Sequence, residues 1–152
     1  MELEIRAIRE EELPQALALV KRVFLQYEAP DYSNQGVDTF LAFLQDRAKV
    51  SELKPLGAFA AGQIVGVLAM RGASHISLFF VESAMQGKGV GRALFSAARA
   101  ACPRDMMTVN SSPYAVEIYK RLGFSPLSTE QEADGIRFTP MKCILISGGD
   151  AQ

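Results

Sequence analysis

The segment between Phe79 and Leu94 constrains this chain more than any other. An apolar run that ends at Val81 leads into a turn with three glycines in five residues, and helical spacing resumes directly after it. Glycines leave main-chain N–H groups uncovered, and the first turn of a helix adds unpaired N–H groups and the positive end of its dipole. With Lys88 and Arg92 beside it, this turn predicts a strand, loop and helix that bind a pyrophosphate.

The glycine spacing excludes two common nucleotide-binding patterns. A P-loop, G-x-x-x-x-G-K-[ST], would need a glycine in place of Glu82. A dinucleotide turn, G-x-G-x-x-G, would need a glycine in place of Arg92 or of Leu94. The turn instead follows the pattern [QR]-x-x-G-x-[GA], as Gln86-x-x-Gly89-x-Gly91.

Size and composition limit the classes of protein to consider. At 152 residues with 49% hydrophobic residues, we expect one folded domain at 1–146 and a short tail at 147–152. The formal net charge of −1 favours neither nucleic acid nor an anionic membrane as partner. No apolar run could span a bilayer, and residues 1–4 lack the features of a signal peptide. Cys102 and Cys143 have no metal-ligand spacing and are expected to be reduced, so we expect a cytoplasmic protein without a metal.

Hydrophobic periodicity predicts an α/β (α+β) fold with a mixed sheet and helices on both faces. The expected order is β-α-α-β-β-β-α-β-α-β-β. Strands are predicted at 3–8, 56–61, 63–70, 75–81, 106–109, 124–127 and 137–146, and helices at 13–24, 37–44, 87–101 and 113–122. Pro140 suggests that the last strand is an edge strand or contains a bulge.

A second motif agrees with the glycine turn. The segment from Asn110 to Phe124 resembles N-x-x-A-x-x-x-Y-x-x-x-G-F, with Ala115, Tyr119 and Gly123 at the later positions. Both motifs, and the order of elements, resemble the GNAT superfamily of acyl-CoA N-acetyltransferases over essentially the whole chain. The resemblance implies a mostly antiparallel sheet whose fourth and fifth strands splay apart.

The resemblance also implies acetyl-CoA as co-substrate, with its pantetheine arm between the splayed strands and its pyrophosphate on the glycine turn. For Asn110, a hydrogen bond to the coenzyme and a cap on the following helix are both open. The residues implied in coenzyme binding are Phe80, Val81, Gln86, Gly87, Lys88, Gly89, Val90, Gly91, Arg92 and Asn110.

The catalytic residues implied by the family are an acid and a base. Tyr119 matches the general acid, and a phenol of pKa about 10 can protonate a departing thiolate of pKa about 8.5. Tyr119 also lies on the apolar face of its helix and could serve the core alone. His75, the single histidine, is the first candidate for the base, with Glu82 or water as alternatives.

The acceptor is expected to be a primary amine on a small molecule or a peptide. Acidic residues in two loops, at 27–32 and 130–134, would suit a cation, although acidic loops are also ordinary solvated turns. These residues are Glu28, Asp31, Glu130, Glu132 and Asp134, accompanied by Tyr27 and Tyr32. A catalytically silent acyl-CoA sensor on the same fold is the alternative function, and a homodimer is possible.

Overall fold

A computed structural model describes residues 2–145. The strands are β1 (Leu3–Ala7), β2 (Leu53–Ala60), β3 (Gln63–Arg71), β4 (His75–Val81), β5 (Met106–Ser111), β6 (Ser125–Pro126), β7 (Gln131–Ala133) and β8 (Ile136–Ile144). The helices are α1 (Leu13–Tyr27), α2 (Asn34–Gln45), α3 (Arg47–Val50), α4 (Val90–Ala101) and α5 (Val116–Arg121). Short 3₁₀ turns lie at Glu10–Glu12, Ala29–Asp31 and Ser83–Met85. The predicted domain boundary at residue 146 and the tail at 147–152 fall outside the described residues.

The strands form one sheet in the order β1-β2-β3-β4-β5-β8-β6, and β7 pairs with β8. Every neighbouring pair is antiparallel except β4 and β5, which are parallel. Helices α1 and α2 pack on one face of the sheet, and α4 and α5 pack on the other. The predicted mixed sheet with helices on both faces is therefore confirmed. In the part of the chain described, no helix is both long and apolar enough to cross a membrane.

Side-chain alternation along the central strands builds two separate cores. On β3, Leu68 and Met70 belong to the core under α4, whereas Val67 and Ala69 belong to the core under α1. Because successive side chains of a strand point to opposite faces, a nearly continuous apolar run serves both cores. The sheet is thus rigidly covered on both sides, which fixes the positions of the strand ends.

The pair β4 and β5 separates after a short contact. The two strands are in register only at His75 opposite Thr108 and at Ile76 opposite Val109. Beyond these positions β5 continues to pair with β8, and β4 continues to pair with β3. The predicted splay of the fourth and fifth strands is confirmed.

A bulge in β4 gives the physical reason for this splay. Ala69 of β3 faces Leu78, but the next residue, Met70, faces Ile76, so Ser77 is an extra residue in β4. A bulge bends its strand and increases the local twist. Since Ser77 directly follows the last residue paired with β5, the bend turns β4 away from β5 at that point.

Several predicted boundaries were wrong at the turns. Helix α4 begins at Val90 instead of residue 87, and α5 begins at Val116 instead of residue 113. A turn precedes α5, in which the N–H of Ala115 donates to Ser112 O at 3.1 Å. Strand β6 is only two residues long. Strand β7 and helix α3 were not predicted.

Pro140 lies in an interior strand, so the expectation of an edge strand or a bulge was wrong. Strand β8 keeps an unbroken register with β5, in which Pro140 faces Asn110. The carbonyl of Pro140 accepts from Leu127 N at 2.8 Å on the other side. Because the N–H and C=O of one strand residue point the same way, the missing N–H of Pro140 lies on the side of β6, and the ladder between β8 and β5 loses no bond.

Candidate active site

The gap between β4 and β5 opens into a cavity of about 600 Å³, a size that suits a cofactor or small molecule. Its walls come from the end of β4, the glycine-rich turn, the start of α4, α5 and the end of α1. The lining includes Phe80, Val81, Gln86, Gly87, Gly89, Gly91, Arg92 and Tyr119 of the residues predicted for the site. We call this space the coenzyme cavity. Of the other predicted residues, Lys88 is exposed, Val90 is buried in the core, and Asn110 lines a second cavity described below.

The main chain of the glycine turn is free to bind an anion. Gly87 and Gly89 have φ of 77° and 86°, in the left-handed region, and Gly89 forms the N-cap of α4 without a capping side chain. Within residues 2–145, the first N–H after Gln86 that finds a main-chain acceptor is that of Ala93, which donates to Gly89 O at 3.0 Å. The N–H groups from Gly87 to Arg92 are therefore available together at the positive end of the helix.

The cationic side chains of the turn are also free. Lys88 and Arg92 are exposed, and neither forms a salt bridge with another described residue. Arg92 lines the coenzyme cavity. The donor set of unpaired N–H groups and guanidinium fits a pyrophosphate.

Gln86 ties the turn to both sides of the gap. Its side-chain Nε2 donates to Val81 O at 3.1 Å, and its Oε1 accepts from the hydroxyl of Tyr114 at 3.3 Å. Tyr114 stacks on Tyr27 of α1, with ring centroids 5.0 Å apart. The hydroxyl of Tyr27 lies 2.8 Å from Ser83 Oγ. A layer of two tyrosines thus spans the cavity from α1 to the segment before α5.

Strand alternation decides which main-chain groups of β4 face the gap. The N–H of Glu82 donates to Val65 O of β3 at 2.9 Å. Since alternate residues direct their N–H and C=O to the same side, those of Phe80 also face β3, and those of Phe79 and Val81 face the gap. The main-chain groups of Phe80 therefore face β3, and Phe80 lines both cavities through its side chain. Phe79 was not predicted.

Tyr119 is a buried residue with its hydroxyl in the cavity. It is 6% exposed, and its ring packs against those of Phe79 and Phe124 at centroid distances of 5.9 Å and 5.3 Å. Its hydroxyl bonds to no other described residue. Every fully buried side-chain polar atom among residues 2–145 has a hydrogen-bond partner, so the unpartnered hydroxyl of Tyr119 is not fully buried and opens to the cavity that the residue lines. Burial, and to a lesser extent the nearby charge of Glu28, raises the pKa of Tyr119. The phenol is therefore held protonated.

A second, smaller cavity of about 150 Å³ adjoins the first. It extends between β4 and β5 toward α2 and β8, and Glu28 is its single carboxylate among the described residues. Its other lining residues are Tyr32, Phe40, Ser77, Phe79, Phe80, Val109, Asn110, Ser112, Ala115, Tyr119 and Ile136. Asn110 is not a helix cap, because α5 begins only at Val116 and Ser112 accepts from Ala115 N.

Glu28 is the acidic residue that the fold brings into the site. It ends α1, where its N–H donates to Phe24 O at 2.9 Å, and its side chain lines both cavities. Burial is the main cause that raises the pKa of Glu28 to about 7, with a smaller contribution from Asp31, whereas the Ser112 side chain acts in the opposite direction. Glu28 stands four residues after Phe24 and so continues the buried face of α1. A charged residue at a position where the helical pattern predicts an apolar one was the feature of the sequence that could have identified Glu28 as a site residue.

The wall of the smaller cavity is held by a contact between two glycines. An added Cβ on Gly36 of α2 would lie 2.1 Å from Gly135 O, in the turn between β7 and β8. Thr39 Oγ1 donates to Asp134 O at 2.9 Å in the same turn. Arg137 of β8 donates to Asp31 O at 3.1 Å. We call the contact of this turn with α2 the glycine latch.

Neither of the bases predicted from the sequence reaches these cavities. His75 lies at the paired start of β4, with Nδ1 2.8 Å from Thr108 Oγ1, and four residues or roughly 13 Å of strand separate it from Phe79. Burial and the charge of Arg71 lower the pKa of His75. Glu82 is paired with Arg22. Among the residues described, the structure therefore brings Glu28, and neither His75 nor Glu82, to the site.

Comparison with known proteins agrees with the fold and the glycine turn. Residues 28–145 match the model of the GNAT acetyltransferase domain. No curated protein matches the chain at the level of sequence. A GCN5-related N-acetyltransferase from Rhodopseudomonas palustris has a similar structure, with a TM-score of 0.82 and 23% identity over 95% of this chain and 96% of the other.

Two further solved structures have the same fold. The PaiA N-acetyltransferase of Thermoplasma acidophilum, solved in complex with coenzyme A, has a TM-score of 0.76 and 16% identity over 95% of this chain and 99% of its own. YjaB of Escherichia coli, in its apo form, has a TM-score of 0.74 and 24% identity over 93% of this chain and 97% of its own. The present chain belongs to the GNAT acetyltransferase family, and its general activity is acyl transfer.

Proposed function

We propose that this protein transfers an acetyl group from acetyl-CoA to a primary amine, by direct attack of the amine within a ternary complex. The observation that carries the proposal is the continuity of one cavity from the free N–H groups of the glycine turn to the hydroxyl of Tyr119. An anion-binding end and a proton donor in one cavity match what thioester aminolysis requires.

Each part of the coenzyme cavity has a proposed role. The N–H groups from Gly87 to Arg92, with the side chains of Lys88 and Arg92, would hold the pyrophosphate. The main-chain groups of Phe79 and the carbonyl of Val81, which also accepts from Gln86, would bond to the pantetheine arm, while the Phe80 ring and Gln86 shape the walls. Asn110 lines the adjoining smaller cavity and would donate to the coenzyme from the β5 side. Acetyl-CoA supplies an activated carbonyl carbon and a thiolate leaving group.

Tyr119 is the proposed general acid. The raised pKa keeps the phenol neutral, so it still holds a proton for the sulfur when the C–S bond breaks. The main-chain N–H of Val81 faces the gap and would stabilise the oxyanion. We also propose the cytoplasm as the compartment, since Cys102 and Cys143 are both free thiols.

The test combines binding with a chemical readout. Isothermal titration of acetyl-CoA measures occupation of the coenzyme cavity, and a thiol-release assay then screens primary amines, with the matching alcohols as controls for N-transfer. Binding together with release by amines alone supports the proposal. Binding without any release favours the silent sensor. Absence of binding contradicts both functions.

A further inference from the structure

The two cavities meet at a pair of titratable groups. Of the residues described, Glu28 and Tyr119 are the titratable side chains that line both the coenzyme cavity and the smaller one. Tyr119 is assigned as the acid on the coenzyme side. The carboxylate of Glu28 is given no role in holding the coenzyme, and among residues 2–145 it is the one acidic group that lines the smaller cavity.

We propose that the smaller cavity is the acceptor pocket, and that Glu28 at its junction with the coenzyme cavity is the base that removes the proton from the acceptor's ammonium. This inference rests on the proposed function of acetyl transfer to an amine, and it assigns the acceptor site and the base of that reaction.

The proton balance is closed by the two residues. An N–H bond of the ammonium breaks, its proton forms an O–H bond on the Glu28 carboxylate, and the freed lone pair forms the new C–N bond to the acyl carbon. As the C–S bond breaks, the sulfur takes the proton of Tyr119, and the phenolate regains one from the nitrogen that has become the amide. The net products are an N-acyl amine, a free thiol and one proton, which Glu28 releases to solvent.

The position of Glu28 is fixed from several sides. Its own N–H is bonded to Phe24 O, and its carbonyl accepts from Asp31 N at 3.0 Å. Arg137 holds the same 3₁₀ turn from β8. A base must stand within reach of the proton that it removes, and these contacts fix the main chain from which the Glu28 side chain reaches both cavities.

The surroundings of Glu28 tune it for proton transfer near neutral pH. The charged and titratable groups near it are Asp31 and Tyr32 in the 3₁₀ turn, Tyr114 before α5 and Tyr119 on α5. The cation that contacts the same turn, Arg137 of β8, is paired with Glu130 and donates to the carbonyl of Asp31, and it forms no salt bridge with Glu28. A base whose pKa lies near the operating pH combines a high deprotonated fraction with effective proton acceptance.

The walls of the smaller cavity select the class of amine. Apart from Glu28, they combine the aromatic and aliphatic side chains of Phe40, Phe80 and Ile136 with the uncharged polar side chains of Ser77, Asn110 and Ser112. The apolar part of the walls would bind an apolar body, and one carboxylate matches one ammonium. The acceptor class is therefore a small monoamine with an apolar body, and a polyamine would leave a second charge unpaired.

The test uses benzylamine as the probe and benzyl alcohol as its uncharged match. Their binding to the complex of the protein with coenzyme A is measured by isothermal titration, where no transfer can occur. Turnover is measured with acetyl-CoA and benzylamine, with spermidine for comparison. The variants are Glu28→Gln, the alternatives His75→Gln and Glu82→Gln, and Glu52→Gln as a matched exposed control.

We expect benzylamine to bind more tightly than benzyl alcohol, and Glu28→Gln to weaken benzylamine binding about 10-fold. The same variant should lower kcat about 100-fold while the Kd of acetyl-CoA is unchanged. For the wild type, kcat/KM should fall below about pH 7, where Glu28 becomes protonated, and Glu28→Gln should lose this dependence.

Retention of kcat by Glu28→Gln, or loss of turnover in His75→Gln or Glu82→Gln instead, would overturn the assignment while leaving acetyl transfer intact. If no amine is acetylated, the proposed function fails, and benzylamine binding that depends on Glu28 still decides the acceptor pocket.

If Glu28→Gln does not fold, the wild-type pH profile decides: an ionisation near 7 supports the base, and its absence contradicts it. Spermidine turned over faster than benzylamine would overturn the acceptor class.

Discussion

The two cavities of this protein are constructed differently. The anion-binding end of the coenzyme cavity comes from one continuous segment, 86–92, in which glycines set the main chain and the helix start supplies the donors. The acceptor pocket is assembled from the end of α1 and the turn after it, from α2, β4, β5 and β8, from the segment before α5 and from α5 itself. A site made of main-chain groups from one segment leaves a pattern in the sequence, whereas a site made of side chains from seven segments does not.

The largest expected effect tests the local character of the coenzyme side. We expect Gly89→Glu to weaken acetyl-CoA binding at least about 100-fold, since a side chain at positive φ is strained and a carboxylate would repel the pyrophosphate. Added atoms at this position would meet nothing within 4 Å, so loss of packing is not the cause. Isothermal titration measures the change.

Gly62→Glu is the matched control. Gly62 has a φ of 79° in the turn between β2 and β3, and its surroundings are equally open. The Gly62→Glu variant carries the same backbone strain without facing the coenzyme, so its Kd for acetyl-CoA should equal that of the wild type. Equal losses in both variants would mean that strain, and not the anion site, governs binding.

Tyr119→Phe separates the chemistry from both binding steps. We expect turnover to fall about 10- to 100-fold, because the departing thiolate loses its proton donor while the ring contacts with Phe79 and Phe124 remain. The Kd of acetyl-CoA should not change. Undiminished turnover would remove Tyr119 from the mechanism and leave it a core residue.

The same contrast explains what the sequence could predict. The order of elements along the chain, apart from the short α3 and β7, the covered strands and the glycine turn follow from periodicity and local motifs, and they were predicted. The bulge at Ser77 was hidden in a run that is apolar at nearly every position. The base could not be chosen from the sequence, because the choice depends on which residue lies beside the gap. The parallel pairing with β5 keeps His75 away from the gap, whereas the fold places Glu28 beside it.

The glycine latch tests the assembled character of the acceptor pocket. Helix propensity alone predicts that Gly36→Ala stabilises the protein by about 1 kcal/mol. The contact with Gly135 O predicts the opposite sign, a destabilisation of about 1–3 kcal/mol, because the added Cβ must displace main chain. Chemical denaturation measures the difference, and the KM for the amine should rise a few-fold with the Kd of acetyl-CoA unchanged.

Gln35→Ala controls for the helix itself. Gln35 is exposed next to Gly36 in the first turn of α2, so its replacement should change the free energy of unfolding by less than about 0.5 kcal/mol. If Gly36→Ala proved more stable than the wild type, α2 and the turn at Gly135 could separate without loss of stability. The glycine latch would then not fix the wall of the acceptor pocket.

The smallest expected effect is a change in the free energy of unfolding, which arises because the Glu28 carboxylate is buried at the junction of the two cavities. Burial raises the pKa of Glu28 from 4.5 to about 7, so the folded state binds this proton more tightly than the unfolded state. The contribution to stability is full below pH 4.5 and is lost as pH rises through about 7. Glu28→Gln should therefore be more stable than the wild type at pH 8, on the order of 1 kcal/mol, since the side chain keeps part of its hydration.

Thermal unfolding at pH 8 and at pH 4.5 measures this difference, with Glu52→Gln as the exposed control. A gain of equal size at both pH values would mean that the amide packs better, and that ionisation is not involved. A gain confined to the higher pH, in the variant that also loses turnover, would show that the acceptor side keeps a destabilising charge for its chemistry. The coenzyme side has no such cost, because its N–H groups lie at a solvent-exposed helix start, where water satisfies them when no anion is bound.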